Sequence, residues 1–256
     1  MKITQIRNAT LIVEYDGKRF LIDPMLSDKG ALPPFAGTPN DDARNPLVDL
    51  PLPMETIIDV DAVIVTHTHK DHWDDAAAQV LPKAMPVFVQ HEQDAELLRS
   101  QGFEDLRILS QNSVFEGVEL IKTPGQHGSD AAIATLGDRL GQVCGVVFRA
   151  PSEKTLYVAG DTVWNTDVAD NLAKYAPKVV ALNCGYAIIT LVGPLIMGTE
   201  DLFKVAQAAP TAFIVATHME AVNHATLSRS DLQRFTEEKG IAPRVFIPQD
   251  GASLLF

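Results

Sequence analysis

Hydrophobic residues along the chain fall into short runs, and the spacing of these runs predicts strands first and then alternating strands and helices. The first 23 residues predict three strands, KITQI, ATLIVEY and KRFLID, with Asp16 and Gly17 as the hairpin turn between the last two. From Asp61 onward, the apolar runs DAVIV, VFVQ and RILS alternate with helical segments in the seventies and nineties. The chain therefore begins antiparallel and continues as an α/β protein.

The second half repeats this scheme. Three segments are rich in β-forming residues: VELIKTP, VCGVVFRA and TLYVAGD. Helices near 200–208 and 229–239 then alternate with three further strands: VVALN, FIVATH and RVFIP. We expect two similar βα halves that form a single domain over residues 1–256, a length that can bury a large core.

Between the first strands and the first helix lies a segment, residues 31–53, which we call the Pro-rich segment. It holds six prolines, which exclude regular structure and indicate a long ordered loop or lid; a flexible tether is the alternative. A solvated tether has little use for large apolar side chains. We therefore predict that the segment packs near the functional site or at a subunit contact. Its apolar residues are Leu32, Phe35, Leu47, Val48, Leu50 and Leu52.

Charge and composition narrow the classes of function. A net charge of −12 and a pI near 4.9 argue against a nucleic-acid partner, because phosphate binding needs patches of Lys and Arg. The two cysteines form no motif, which favours a cytoplasmic protein. The N-terminus has no signal-peptide pattern. The longest apolar stretch, YAIITLVGPLIM, is too short to span a membrane.

The stretch VTHTHKDHWDD, residues 65–75, carries three of the 7 histidines directly after a strand-like run. Imidazoles with a carboxylate at a strand end are the ingredients of a metal site. Side chains two apart in an extended segment share a face, so His67 and His69 can bind one ion, and Asp71 and His72 can face a second after the chain turns. The alternative is a polar loop that caps the next helix, with Asp71 or Thr68 as the N-cap.

Three further ligand-type residues follow apolar strands. LIKTPGQHG supplies His127, LYVAGD supplies Asp161 and FIVATH supplies His218. Each alone has another interpretation: a solvated turn, a helix cap or a buried histidine. Together they indicate one site, because the carboxyl ends of strands in an α/β sheet converge.

The motif THTHKDH resembles the HxHxDH signature of the metallo-β-lactamase superfamily, and His127, Asp161 and His218 are similar to its later metal motifs in order and spacing. Three local stretches resemble the branch that contains ascorbate 6-phosphate lactonase: TLIVEYDGKRFLIDPMLSDKG, NCGYAIITLVGPLIMGTEDLFKVAQ and ATHMEAVNHATLSRSDLQRF. The sequence departs from this branch at Asn8, where many relatives have histidine. The resemblance implies a four-layer αβ/βα sandwich.

The resemblance also implies two divalent metal ions, with zinc favoured and manganese as the alternative. Its ligand sets would be His67, His69 and His127 on one ion and Asp71, His72 and His218 on the other, with Asp161 bridging. Two ions lower the pKa of a shared water and provide a hydroxide at neutral pH. We therefore expect a hydrolase that cleaves an ester-type bond of a small molecule: a lactone, a phosphodiester or an amide.

Other residues are candidates for roles around the metal ligands. Asp71 is also a candidate proton shuttle, and Glu220 and His224 are candidates for an acid, a base or a substrate contact, with a solvated loop as the alternative. Asp23, at the end of FLID, is expected to orient a histidine, or else to form a turn. We predict that Tyr186 packs in the core and that Cys184 is structural.

Two other functional classes remain open at this stage. The same fold serves redox proteins of the diiron and sulfur dioxygenase types, and a metal can stabilise a scaffold without catalysis. The intact HxHxDH motif disfavours the redox class, and the complete ligand set disfavours the scaffold. Lactonase-like relatives are often oligomers, so a homo-oligomer is expected by resemblance alone.

Overall fold

A computed structural model describes residues 1–256, the whole chain, and contains two seven-stranded sheets. Six strands of the first sheet come from the N-terminal part of the chain: β1 (Lys2–Arg7), β2 (Thr10–Tyr15), β3 (Lys18–Ile22), β4 (Ala62–Val65), β5 (Val87–Val89) and β6 (Leu106–Ile108). They are adjacent in chain order. The first three are antiparallel, and β3 to β6 are parallel, as the sequence pattern predicts.

The second sheet is built from the rest of the chain. Its strands are β7 (Ser113–Phe115), β8 (Val118–Pro124), β9 (Cys144–Arg149), β10 (Leu156–Val158), β11 (Val179–Asn183), β14 (Phe213–Thr217) and β15 (Val245–Phe246). A separate small hairpin consists of β12 (Ile188–Ile189) and β13 (Gly193–Pro194). β7 to β10 are antiparallel, whereas β10, β11, β14 and β15 run parallel.

The last strand, β16 (Ser253–Leu255), returns to the first sheet and pairs antiparallel with β1. The two halves are therefore not independent along the chain, because the C-terminal strand completes the N-terminal sheet. Lys2 is paired with Leu255 and Thr4 with Ser253. The two hydroxyls of Thr4 and Ser253 lie 2.8 Å apart and hydrogen-bond to each other.

Seven α-helices cover the outer faces of the sheets. They are α1 (Met54–Ile57), α2 (Asp75–Val80), α3 (Glu92–Ser100), α4 (Asp130–Leu140), α5 (Thr166–Tyr175), α6 (Thr199–Ala208) and α7 (Arg229–Glu238), with a 3₁₀ turn at Ala242–Arg244. Most of them start at a capping side chain; Asn165, for example, accepts a hydrogen bond from the backbone N–H of Val168 at the start of α5. None of the helices has the length and apolar composition required to cross a membrane.

The period of two along each strand divides the core into three layers of side chains. Phe20 and Phe148 meet edge to face between the two sheets, with ring centroids 5.3 Å apart. The neighbouring residue Leu21 faces the other way, toward Trp73 and the helices of the first sheet. On the second sheet, Tyr157 packs against the helices in the same manner. This is the four-layer αβ/βα sandwich that the resemblance implies.

The Pro-rich segment is packed against the body of the protein. Arg7, which is fully buried, donates hydrogen bonds to the carbonyl oxygens of Val48, Met25 and Ser27, so it ties the segment to β1. The backbone N–H of Leu47 donates to the carbonyl of Ala221 at 2.8 Å. The prediction of an ordered loop is confirmed, and the alternative of a flexible tether is wrong.

Both cysteines are buried and unpaired, which agrees with a structural role for Cys184. Burial raises the pKa of the Cys184 thiol to about 12 and moves the pKa of Cys144 in the same direction. Because the thiolate is the reactive form, we expect neither thiol of the native protein to react with a thiol reagent at pH 8. In the denatured chain, both thiols should react with the reagent. Rapid labelling of one thiol per native chain would contradict the burial of the two cysteines.

Candidate metal centre

The histidine-rich loop follows β4 and is held by its own backbone. The N–H groups of His72 and Trp73 both donate to the carbonyl oxygen of His69, at 2.9 and 2.8 Å, and this turns the chain before α2. The N-cap of α2 is Asp74, whose carboxylate accepts from the N–H of Ala77. The interpretation of the motif as a mere capping loop, with Asp71 or Thr68 as the cap, is therefore wrong.

Three imidazoles meet at one side of the site. His67 and His69 extend from the loop after β4, and His127 comes from the loop after β8 in the other sheet. One nitrogen from each ring lies within 4.8 Å of the other two, a spacing compatible with a shared metal ion. His127 is oriented by the contact of its Nδ1 with the carbonyl oxygen of Leu195, at 3.2 Å, which directs Nε2 into the site.

A second group lies beside the first. Asp71 and His72 come from the same loop, and His218 follows β14, again in the second sheet. Their ligand atoms lie within 4.8 Å of one another, and His218 Nε2 is 3.2 Å from Asp71 Oδ2. All three side chains are buried. The structure thus brings together both sets of residues that the resemblance implies.

Asp161 lies between the two groups. Its Oδ2 is 3.1 Å from His72 Nε2, 3.8 Å from His127 Nε2, 3.8 Å from His218 Nε2 and 4.0 Å from His67 Nε2. The other carboxylate oxygen, Oδ1, accepts a hydrogen bond of 2.7 Å from the amide of Asn183 at the end of β11. Asn183 therefore fixes the carboxylate so that one oxygen faces residues of both groups.

Asp23, at the end of β3, fixes the loop that carries the histidines. Its carboxylate accepts from the N–H and the hydroxyl of Thr66, both at 2.7 Å, and from His72 Nδ1 at 2.9 Å. Because an ionised carboxylate only accepts, His72 carries its proton on Nδ1. Its Nε2 then faces the site.

The donors present fit a metal ion. Burial opposes the charged form of His72, but Asp161, Asp23 and Asp71 outweigh it and raise the pKa of His72 well above its ordinary value. His72 Nε2 and Asp161 Oδ2, 3.1 Å apart, thus share a proton, and a bound metal ion would supply that positive charge in its place. The Nε2 atom of His67 is buried without a hydrogen-bond partner. Such an orphaned nitrogen is costly unless something binds it. Imidazole and carboxylate donors together suit zinc, manganese or iron.

The protonation of the site follows from burial and from mutual charge. Burial lowers the pKa of His127 to about 4 and that of His67 well below its ordinary value, so both rings are neutral ligands. Burial opposes the charged forms of Asp71 and Asp161, but the adjacent imidazole of His72 and other histidines outweigh it and hold the pKa of each carboxyl well below its usual range. Neutral imidazoles and ionised carboxylates are the forms that bind metal, so His72 would lose its second proton when a metal ion binds.

The backbone around the site is strained. His218, Asp23 and Asn8 have φ values of 59°, 46° and 55°, in the left-handed region that non-glycine residues seldom occupy. Such residues cost about 1–3 kcal/mol each and concentrate at functional sites. Gly160, with φ of 69°, directly precedes Asp161, and a Cβ there would lie 2.4 Å from the carbonyl oxygen of Cys144. Only glycine fits this approach.

A cavity of about 280 Å³ opens onto both groups. One wall consists of the polar residues His69, Asp71, His127, Asp161 and His224. Five apolar residues, Phe35, Ala36, Leu140, Ile189 and Leu195, form part of the remainder, which also includes the cationic side chains of Lys70 and Arg139. The Pro-rich segment supplies Phe35, Ala36 and Thr38, so the prediction that it packs near the site is confirmed. A cavity of this size with one polar wall suits a small molecule.

His224 is the buried histidine of the cavity outside the two groups. Its Nε2 is 4.0 Å from Asp71 Oδ2, and its ring meets that of Phe35 edge to face, with centroids 4.7 Å apart. Burial lowers the pKa of His224 to about 4. The neutral ring can donate one hydrogen bond and accept another, and its Nδ1 has no partner within the chain.

Comparison with known proteins supplies the family. A family model described as the beta-lactamase superfamily domain matches residues 18–219. This chain belongs to the beta-lactamase superfamily. The UPF0173 protein YddR of Bacillus subtilis is 50% identical over 257 residues, covering 100% of both chains. A UPF0173 metal-dependent hydrolase of Methanopyrus kandleri is 26% identical and covers 99% of both.

Two solved structures are similar to this chain over nearly its full length. The crystal structure of isothiocyanate hydrolase from Delia radicum gut bacteria superimposes with a TM-score of 0.97 at 51% identity, and the match covers 100% of this chain and 99% of that one. A possible metal-dependent hydrolase from Veillonella parvula gives 0.97 at 43% identity, over 99% and 98%. The chain is thus a metal-dependent hydrolase of the beta-lactamase superfamily. This finding favours the predicted hydrolase over the redox protein and the non-catalytic scaffold.

Two residues near the centre differ from the sequence-based expectation. Glu220 does not line the cavity; both its carboxylate oxygens accept hydrogen bonds of 2.8 Å from Arg229, one from the backbone and one from the guanidinium. The structure therefore does not bring this candidate to the reacting centre. Tyr186 is 41% exposed, so its predicted place in the core is wrong. It lies close against Gly198, where an added Cβ would meet the ring.

Sequence reasoning missed several residues that hold the site. Asn8 donates from its amide to the carbonyl oxygen of Asp71 and lies 3.4 Å from His218 Nε2. Asn183 binds Asp161 through its side-chain amide. Asn183 was detectable, because it ends the strand VVALN as the ligands end theirs. Asn8 stood out only as a departure from the resembling branch, and no local pattern indicates its contact with His218, which is 210 positions away along the chain.

Proposed function

We propose that this hydrolase acts on a small electrophile of the isothiocyanate type and releases an amine and carbonyl sulfide. The observation that carries the proposal is a cavity of about 280 Å³ that joins the clustered metal-type residues to apolar side chains, because it offers a short, uncharged reacting group both a polar wall and an apolar one. The likeness to an isothiocyanate hydrolase, at 51% identity over the full chain, supports the same choice.

In this proposal the metal ligands divide as the geometry groups them. His67, His69 and His127 would hold one ion, Asp71, His72 and His218 would hold the second, and Asp161, which lies between the two groups, would supply negative charge to both. Zinc is our first choice and manganese the second. When bound, the metal supplies an activated water and a positive charge near the electrophile.

The overall reaction consumes one water. The water oxygen forms a bond to the central carbon of N=C=S, the electron pair of the C=N bond moves to nitrogen, and nitrogen takes one proton. In the thiocarbamic acid that results, R–NH–C(=S)–OH, the C–N bond breaks, its electron pair and the hydroxyl proton go to nitrogen, and carbonyl sulfide leaves. The chain must therefore move a proton between water and nitrogen within the cavity.

We assign the transfer of this proton to His224 and Asp71. Asp71 Oδ2 lies 4.0 Å from His224 Nε2, and both line the cavity. The neutral His224 can hydrogen-bond the substrate nitrogen or sulfur, while Asp71 passes a proton from the water side. Glu220 is reassigned to a structural role, since it is bound to Arg229.

The test combines elemental analysis with a substrate panel. We expect two zinc or manganese ions per chain, no iron chromophore, and formation of amine and carbonyl sulfide from an isothiocyanate. Replacement of His224 by Ala should lower kcat/KM by about 10²–10⁴-fold, the usual contribution of a positioned proton-transfer group. The matched control is His91→Asn, which keeps the cap of α3 outside the cavity and should behave as wild type.

Two results would count against the proposal. Faster turnover of a lactone, a phosphodiester or an amide than of every isothiocyanate would refute the substrate but leave the ligand sets intact. One ion per chain in the active enzyme would refute the division into two groups.

A further inference from the structure

Asp94 is a buried carboxylate outside both groups of metal-type residues. It stands in the first turn of α3, shortly after β5, and β5 pairs in parallel with β4, whose end carries the histidine-rich loop. Neighbouring parallel strands end at the same edge of a sheet, so the start of α3 lies beside that loop. The side chain of Asp94 is only 8% exposed. Its Oδ1 accepts a hydrogen bond of 2.9 Å from the hydroxyl of Thr68, the residue between His67 and His69.

The other oxygen of this carboxylate, Oδ2, is buried and has no hydrogen-bond partner. The one basic side chain within ion-pair distance is His91, whose Nδ1 lies 3.4 Å from Oδ2. That nitrogen accepts the backbone N–H of Asp94 at 3.2 Å as the cap of α3, so it carries a lone pair and no proton. Asp94 is therefore a buried negative charge without a positive partner in the chain. Such a charge is costly unless a cation lies nearby.

Asp94 shares a cavity of about 180 Å³ with His67 and His69. These two residues belong to the first group of ligands, which we call the three-histidine group. His69 and Leu140 line both this cavity and the one of about 280 Å³, so they lie between the two. No member of the second group lines the smaller cavity. The carboxylate of Asp94 is thus a neighbour of the three-histidine group alone.

The two groups differ in the charge of their own ligands. The second group includes the carboxylate of Asp71, whereas the first consists of imidazoles, of which His67 and His127 are kept neutral by burial. Asp161 lies between the groups and is common to both. A divalent ion on the three imidazoles would therefore have less negative charge around it than an ion in the second group. The carboxylate of Asp94 lies where it can make up this difference.

We propose that Asp94 is a positioning residue of the three-histidine group: its charge stabilises the ion there without binding it, and its hydrogen bond to Thr68 fixes the segment between His67 and His69. The inference rests on the ligand division of the proposed function but not on its substrate. Groups outside the ligand shell typically change metal affinity by about 10–100-fold. The effect should be confined to one of the two ions.

Competition for zinc with a chelator tests the charge. A His218→Ala background lacks a ligand of the second group and isolates the first. In that background, Asp94→Asn should weaken zinc binding by about 10–100-fold, although its amide oxygen can still accept from Thr68. In a His127→Ala background, which isolates the second group, Asp94→Asn should leave the affinity unchanged. The matched control is Glu92→Gln, which removes an exposed carboxylate from the same turn of α3 and should change neither affinity.

Thermal denaturation distinguishes this role from a purely structural one. Because Asp94→Asn removes a buried charge without a partner, the metal-free variant should be at least as stable as metal-free Glu92→Gln. With zinc added, it should melt below Glu92→Gln, because a bound ligand stabilises the fold in proportion to the logarithm of its affinity. A carboxylate that served the fold alone would lower the melting temperature equally with and without zinc.

Two results would overturn the inference. One is an unchanged zinc affinity of the three-histidine group in Asp94→Asn, and the other is an equal loss of affinity in both groups. Both measurements use zinc alone and need no substrate. An enzyme that hydrolyses no isothiocyanate but shows the expected loss at one group would therefore refute the proposed substrate and support the role of Asp94.

Discussion

Replacement of Asp161 by Ala should abolish hydrolysis and loosen metal at both groups. The reason is position: Oδ2 lies within 4.0 Å of nitrogens from His67, His72, His127 and His218, so one carboxylate supplies negative charge to the whole centre. We expect kcat/KM to fall at least about 10³-fold, the upper end of the loss when one preorganised charge-stabilising group is removed. Metal content per chain, measured after dialysis, should fall in parallel.

A second variant separates charge from packing. Asp161→Asn keeps the shape and can still accept from Asn183, but it removes the charge, so its metal content should resemble that of Asp161→Ala. Asp201→Ala serves as the control, because Asp201 is a half-buried carboxylate on α6 that pairs with Lys204 and should not affect metal. Full activity with two metals in Asp161→Ala would disprove the shared role.

Replacement of Asp23 by Asn should weaken metal binding by about 10–100-fold, the usual effect of losing a group that orients a metal ligand. Asp23 binds no metal in our assignment. Its carboxylate accepts hydrogen bonds from the N–H and the hydroxyl of Thr66 and from Nδ1 of His72. In Asp23→Asn, an amide nitrogen would replace one of these oxygens and would face a hydrogen-bond donor. We also expect the free energy of unfolding to fall by about 1–3 kcal/mol, the cost of a buried unsatisfied donor.

The measurements are competition for zinc with a chelator and thermal denaturation of metal-free protein. Asp61→Asn is the matched control: Asp61 precedes β4 at its other end and also accepts a backbone N–H, from Arg19, but it is exposed. It should leave metal affinity unchanged. If Asp23→Asn keeps wild-type affinity and loses only stability, Asp23 supports the fold alone.

The strand ends were the part of the site that the sequence predicted well. His127, Asp161 and His218 each follow an apolar run, and parallel or neighbouring strands bring such ends to one edge whatever the details of packing. The alternation of strands and helices followed from the same runs, whereas the four-layer arrangement came from the resemblance. Helices α4 and α5, of 11 and 10 residues, were not predicted, because their signals, such as the N-caps Ser129 and Asn165, stand between stronger strand signals.

The remaining errors come from contacts between distant segments. The apolar run around Tyr186 suggested core, but its residues form the small β12–β13 hairpin, whose tip residue Leu191 is fully exposed. The path of the Pro-rich segment depends on Asn223, about 180 residues away, and no local pattern encodes that partner. The strand ends along the chain therefore predicted which residues come together at the site. They did not predict which distant residues fix those side chains and loops.

Each group of metal-type residues draws members from both sheets: two from the loop after β4, and one from the loop after β8 or β14. Neither sheet alone carries all three residues of either group. A metal that binds only the assembled chain shifts the folding equilibrium by mass action, by about 2.7 kcal/mol when its free concentration is 100 times its Kd. Since unfolded chains are continuously degraded in cells, metal starvation should lower the abundance of this enzyme as well as its activity.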